Sequence, residues 1–287
     1  MSIPIDPSQR SPSLLQSLGD VNHPEERVVD IVKGINEKIM AGGPMNRSNL
    51  HAKVSGLPFY KRLTDGTISP HELVQHFVNQ KKIFGTLETL IKADEIFNEI
   101  ISEDIFRAET IEKDISYFEE QFHLIRPRAT KETEDFVSEI QQKVAAEKTH
   151  LLAYTYVQYV GLFLGRSIAG KTEKWLEKNV ENYSSENPSS AGLAYWQFTN
   201  MESPELRRDY QKALVAFYST QSLDIEKKEA LIELGERAFI HNGSVLESVK
   251  PLQNRKWTLM GSAFLGVAAA GVAASFLMRK YFEGGEV

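Results

Sequence analysis

The chain has 287 residues, with 33 Lys+Arg against 39 Asp+Glu, 10% aromatic residues and no cysteine. An apolar share of 41% is enough for a sizeable core and too much for a disordered chain. The net charge of −6 leaves no basic surplus for nucleic acid, and the lack of cysteine excludes disulfides, thiolate catalysis and cysteine-bound metals.

In chain order, residues 1–23 read as a flexible lead with no apolar core flanked by positive charge, so no signal peptide is expected. Pro24 to Met40 predicts an amphipathic helix, with Val28, Ile31, Val32, Ile35 and Ile39 on one face. Gly42-Gly43-Pro44 ends it, and residues 1–44 are taken as an N-terminal extension. From Ser48 the body reads as helix after helix. Ser69-Pro70-His71-Glu72 combines an N-cap serine, a proline at the first helical position and a capping-box glutamate. Leu73, Phe77, Phe84, Leu87 and Leu90 then recur at helical spacing. Asn187-Pro188-Ser189-Ser190 predicts a loop, Ser203-Pro204-Glu205 a helix start, and Asp224 to Val249 the last helix of the body. No sustained period-two alternation occurs. The predicted fold is all-α, one domain over residues 45–254 with seven or eight helices.

The tail differs from the body. Trp257 to Met278 is 22 residues without a charge, which as a helix spans roughly 33 Å, the thickness of a bilayer core. Arg255-Lys256 precede it and Arg279-Lys280 follow it. A buried core helix is the alternative, and the two basic pairs argue against it. Residues 255–287 are therefore read as a C-terminal tail anchor with a transmembrane helix at 257–278. They contain four of the 33 basic and two of the 39 acidic residues, so residues 1–254 hold 29 basic against 37 acidic, a net −8. The expectation is an acidic body on a membrane anchor, facing the cytosol.

One stretch of the body is chemically unusual. Tyr154 to Gly170 reads as helix yet contains Gly161, Gly165 and Gly170. Each interior glycine costs about 1 kcal/mol against alanine. Gly161 and Gly165 are four apart and share a face. Either a flat ligand approaches that bare backbone, or another helix does. The seven histidines form no HxxxH or HExxH zinc pattern, and neither a GxSxG elbow nor a phosphate loop is present.

Three stretches together resemble the heme oxygenase family. HAKVSGLPFYKRLTDGTISPHELVQHFVNQKKIFGTLE, His51 to Glu88, is similar to the family's proximal helix and the helix after it, with His51, Phe59-Tyr60, Gly66 and Leu87-Glu88 in the matching places. YTYVQYVGLFLGRSIAGK is similar to the distal helix through Tyr156, Tyr159, Gly161 and Gly165. GLAYWQFTN, LRRDYQKAL and AFIHN resemble the last helices, with Phe239 and Asn242 in place. The resemblance implies a heme-oxygenase-like helical domain whose cofactor is heme. His51 would be the iron ligand. Gly161 and Gly165 would lie over the porphyrin. Arg207, with Arg208 and Lys212 as neighbours, would hold a propionate, and Tyr156, Phe239 and Asn242 would line the heme.

The implied activity is oxidative opening of heme to biliverdin, carbon monoxide and iron, with O2 as co-substrate and electrons from a reductase. The tail anchor fits the microsomal members, which implies the endoplasmic reticulum. The distal helix departs from the family pattern at two positions. Leu162 stands where the family has an aspartate that orders water over the heme. Arg166 replaces the second glycine of an adjacent pair. A binding protein that holds heme or another tetrapyrrole without opening it, and a scaffold without heme, are the rival readings.

Overall fold

Every regular element among the described residues is helical. The computed structural model describes residues 24–41, 49–101, 103–163, 166–181, 183, 192–197, 210, 214 and 224–251. The helices are α1 (Pro24–Ile39), α2 (Leu50–Ser55), α3 (Pro58–Thr64), α4 (Pro70–Lys92), α5 (Glu95–Ile100), α6 (Ala108–Phe122), α7 (Lys131–Ala146), α8 (His150–Phe163), α9 (Arg166–Asn179) and α10 (Ile225–Ser248). Two short 3₁₀ turns, Glu103–Ile105 and Ala194–Trp196, join them. These ten α-helices exceed the predicted seven or eight because residues 50–64 and 95–100 form short pieces that hydrophobic periodicity does not separate. The chain divides into a compact unit of residues 1–250 and a second of 251–287, of which only Pro251 is described. The predicted transmembrane helix 257–278 thus lies outside the described residues. So do the predicted loop at 187–190 and helix start at 203–205. No described helix is long and apolar enough to cross a membrane.

Local chemistry sets the helix starts. Ser69 accepts from the Glu72 backbone N–H at 3.3 Å, and the Glu72 carboxylate accepts from the Ser69 N–H at 3.1 Å, which is a complete capping box. Glu72 is also buried against Arg62, whose Nε donates to it at 2.5 Å. Asp224 caps α10 by accepting from the Lys227 N–H at 2.8 Å. Asn49 caps α2 by accepting from the Ala52 N–H at 2.7 Å.

The helix α8 occupies the centre. Residues 151–160 are all buried, so no face of this stretch meets water. Such a helix is apolar on most sides, and each polar side chain on it needs a partner. Four neighbouring helices supply one each. Tyr154 donates to Glu139 of α7 at 3.1 Å, and Asn36 of α1 donates to the Tyr156 hydroxyl at 2.8 Å. Gln158 donates to Asn242 of α10 at 2.7 Å, and Tyr159 donates to Glu88 of α4 at 3.5 Å. Glu88 in turn accepts from the backbone N–H groups of Arg107 and Ala108 at the start of α6.

The first helix belongs to this body. Ile31, Ile35 and Ile39, three of its predicted apolar positions, are buried. It meets α10 through a reciprocal pair of glycines. A Cβ on Gly34 would stand 2.5 Å from Ile232 Cδ1, and one on Gly235 would stand 2.7 Å from Ile35 Cδ1. Each isoleucine fills the space that the opposite glycine leaves.

A buried carboxylate organises the loop at 192–197. Asp114 of α6 is fully buried and accepts from the backbone N–H groups of Gly192, Ala194 and Tyr195 at 3.0, 3.0 and 2.7 Å. Burial pushes its carboxyl up to about 6, against the pull of these three donors. The loop so fixed presents Tyr195 and Trp196 to the core, where both pack on Phe77.

Two stability predictions follow from these contacts. Helix propensity favours Gly235→Ala by about 1 kcal/mol, whereas overlap with Ile35 costs about 1–3 kcal/mol. The expected result is a lower urea midpoint, and a raised midpoint would contradict the close approach. Asp114→Ala leaves three backbone donors without their acceptor and should cost about 3 kcal/mol. Thermal melting should then shift down by about 6–12 °C.

Candidate functional site

The Asn49 cap and the proline at 58 fix two short helices end to end, and the first of them carries His51. The His51 side chain is exposed. Its ring stacks against Phe239 of α10, with centroids 6.5 Å apart and planes 20° from parallel. One turn further along α2, Val54 packs into α10, where a Cβ on Gly243 would stand 3.0 Å from its Cγ2. His51 and Val54 lie on one side of α2 because residues three apart share a helix face.

Val54 also lines a cavity of about 700 Å³, its open mouth included. One wall is the C-terminal half of α8, with Val157, Gln158, Gly161 and Leu162. Phe239, Asn242 and Leu246 form a second wall as a single stripe along α10. Phe59, Tyr60 and Leu63 of α3 and His76 and Gln80 of α4 contribute the third, and Ile168, Tyr195 and Trp196 complete the lining. No charged side chain is among these lining residues.

The surroundings of Gly161 bear on the two readings of that glycine. A Cβ built there would meet nothing within 4 Å, and the residue is exposed. Among the described residues no helix packs on it, so this glycine leaves space over the α8 backbone inside the cavity. Leu162, the next residue, is buried in the wall. The Gln158 amide is committed to Asn242, which fixes both side chains. Tyr156 is buried away from the cavity lining, with its hydroxyl bound by Asn36.

The remaining candidates lie outside the described residues or are described by their backbone alone. Gly165 lies outside the described residues. Arg166 begins α9, and only its backbone is described. Arg207, Arg208 and Lys212 lie outside the described residues.

Sequence reasoning missed the polar groups of the α4 wall. His76 and Gln80 are four apart and both are buried. A polar pair at helical spacing, between Leu73-Phe77 and Phe84, was the available signal. Burial pulls the His76 imidazole down to about 3, so it is neutral near pH 7. Burial likewise pushes the Tyr60 phenol above its ordinary range.

The lining suits a flat, largely apolar ligand. Among the described residues no group of three or more His, Asp or Glu side chains is placed to chelate a bare ion. A lone exposed imidazole suits a metal that a macrocycle already holds. His51, the bare backbone at Gly161 and the stripe of Phe239, Asn242 and Leu246 fit such a group.

Comparison with known proteins agrees with this geometry. Residues 46–248 match the family model for heme oxygenase. Heme oxygenase 2 of Synechocystis sp. is 21% identical over 208 residues, covering 70% of this chain and 79% of that protein. Among solved structures, heme oxygenase-2 of Synechocystis sp. in complex with heme and NO aligns with a TM-score of 0.60 at 17% identity, over 78% of this chain and 84% of that one. Heme oxygenase from Leptospira interrogans aligns with a TM-score of 0.60 at 15% identity, over 77% and 98%. At these identities the structures speak for the fold, while the match over 46–248 spans most of the chain. An all-helical body, a cavity between α2, α8 and α10, and this match lead to one conclusion: the chain belongs to the heme oxygenase family.

Proposed function

We propose that the cavity binds heme with His51 as the iron ligand, and that the chain opens it to biliverdin, carbon monoxide and iron. The observation that carries this reading is the exposed His51 imidazole, set against Phe239 beside a cavity whose α8 wall is bare backbone at Gly161. Family membership and the heme named in the similar Synechocystis structure support it. Bound heme supplies the iron at which O2 is reduced, and it is itself the substrate. Electrons come from a reductase partner.

The chain's own residues have separable tasks. His51 offers a ring nitrogen as ligand, and stacking on Phe239 limits how the ring turns. Gly161 keeps the space above the α8 backbone clear. Gln158 and Asn242 hold each other, so α8 and α10 cannot slide apart at the cavity. Arg207, with Arg208 and Lys212 nearby in sequence, pairs with the heme carboxylates by charge-assisted hydrogen bonds. The charge-free segment 257–278 anchors the protein in the endoplasmic reticulum membrane with the body facing the cytosol.

A specific observation favours a second reading, heme binding without ring opening. Leu162 is buried in the cavity wall, and no described lining residue carries a charge. A leucine neither donates a proton nor orders water, whereas general acid catalysis contributes on the order of 100-fold or more.

Two experiments test these readings. Heme titrated into the full chain should give a Soret band that His51→Ala shifts, with affinity reduced about tenfold or more, equal to about 1.4 kcal/mol. Added imidazole should restore the wild-type band, and an unchanged spectrum would remove His51 as the ligand. Supplied with reductant, Leu162→Asp should raise biliverdin formation by on the order of 100-fold over wild type. The buried carboxylate should cost about 3–5 kcal/mol of stability. Equal product yields from the two proteins would show that residue 162 does not limit turnover.

A further inference from the structure

The α4 side of the cavity is chemically unlike the rest of its wall. His76 and Gln80 are both 6% exposed and lie one turn apart on the same face of α4. The His76 ring sits 4.8 Å from the Phe59 ring and 6.0 Å from that of Tyr195. Its Nδ1 is buried and has no hydrogen-bond partner. Gln80 accepts from the Tyr195 hydroxyl through Oε1 at 3.3 Å, which leaves its amide N–H groups directed elsewhere. Tyr60 adds a phenol to the same lining.

An orphaned buried nitrogen costs about 1–3 kcal/mol, and native proteins keep such groups where water or a ligand satisfies them. The cavity of about 700 Å³, its open mouth included, has room for several waters, each of which takes about 30 Å³. The site is both polar and roomy, which are the two conditions for internal water. The imidazole is neutral and no charged side chain is among the described lining residues, a setting that suits water. A half-turn of the ring exchanges carbon and nitrogen positions, so either nitrogen can face that water.

We propose that the α4 wall of the cavity is a hydration site, in which ordered water bridges His76, Gln80 and the Tyr60 phenol and supplies hydrogen bonds to whatever occupies the cavity beside Gly161. The α8 wall offers less for this, since residue 162 is leucine and Gln158 spends an amide N–H on Asn242. The hydration site stands on the cavity alone. Its service to a bound ligand rests on the heme reading above.

Water contacts in the full chain without heme test the site. Nuclear Overhauser cross-peaks between water and the His76 ring, assigned by their loss in His76→Leu, are expected. They should weaken in Tyr60→Phe, which keeps the ring packing. A dry His76 ring would overturn the proposal. In the heme-loaded chain, both substitutions should move the pH midpoint of the acid–alkaline change in the visible spectrum. Unchanged midpoints would overturn the link to the ligand. Persistent water contacts in a chain that takes up no heme would support the hydration site and overturn the proposed function. A dry ring in a chain that does bind heme would do the reverse.

Discussion

Burying residues 151–160 of α8 on all sides is the constraint from which the rest of the structure follows. A surface helix needs one apolar stripe, and its polar face can be left to water. Here residues 151–160 give water nothing, so the bundle must close around them completely. Apolar packing alone would leave the helix free to rotate about its axis, because Leu, Val and Ala contacts are not directional. Tyr154, Tyr156, Gln158 and Tyr159 remove that freedom. Each points to a different neighbour, and the partners Glu139, Asn36, Asn242 and Glu88 come from α7, α1, α10 and α4. A hydrogen bond contributes only about 1 kcal/mol net, but four in four directions define one rotation.

That rotation decides which atoms face the cavity. With Tyr159 turned to Glu88 and Gln158 to Asn242, the residues that follow bring Gly161 to the open side and Leu162 into the wall. Two other supports act at the same place. Asp114 fixes the loop that carries Tyr195 and Trp196, both of which line the cavity. Trp175 of α9 donates to the Ile68 carbonyl at 3.0 Å, which ties α9 to the segment entering α4. The cavity wall is therefore assembled from elements distant in sequence, each held by its own polar contact. Its floor is polar for a different reason, since His76 and Gln80 stand on α4 among residues that otherwise pack the core.

Capping chemistry and apolar periodicity made much of the fold legible. The capping box at Ser69 and the helix starting after Asp224 are local signals, complete within a few residues, and the structure follows both. The stripe of Ile31, Ile35 and Ile39 marked the buried face of α1. The ambiguity at Gly161 was different in kind. A glycine can serve helix packing or ligand space, and only the neighbours decide, so the sequence left both open until the empty surroundings of its Cα were seen. His51 stood out through its family context and not through any metal pattern. His76 was passed over because a histidine within an apolar helix face looks like a satisfied core residue, and only the tertiary structure shows that its Nδ1 lacks a partner. Partners such as Asn36 for Tyr156, 120 positions apart, have no local signature at all.

This last pair bears on what the matched part of the chain can do alone. The family match begins at residue 46, and α1 ends at Ile39, so α1 precedes it. Yet α1 supplies the hydrogen bond to Tyr156, and it fills the hollow at Gly235 with Ile35. Gly235 lies one turn before Phe239 on the helix that lines the cavity and stacks on His51. An α10 without Ile35 would present an open notch there, and an α8 without Asn36 would lose a hydrogen bond to its buried Tyr156 phenol. Both faults would arise on the two helices that form adjoining walls of the site. The segment outside the match is thus a structural member of the site, acting through α8 and α10 and not through contact with the ligand space.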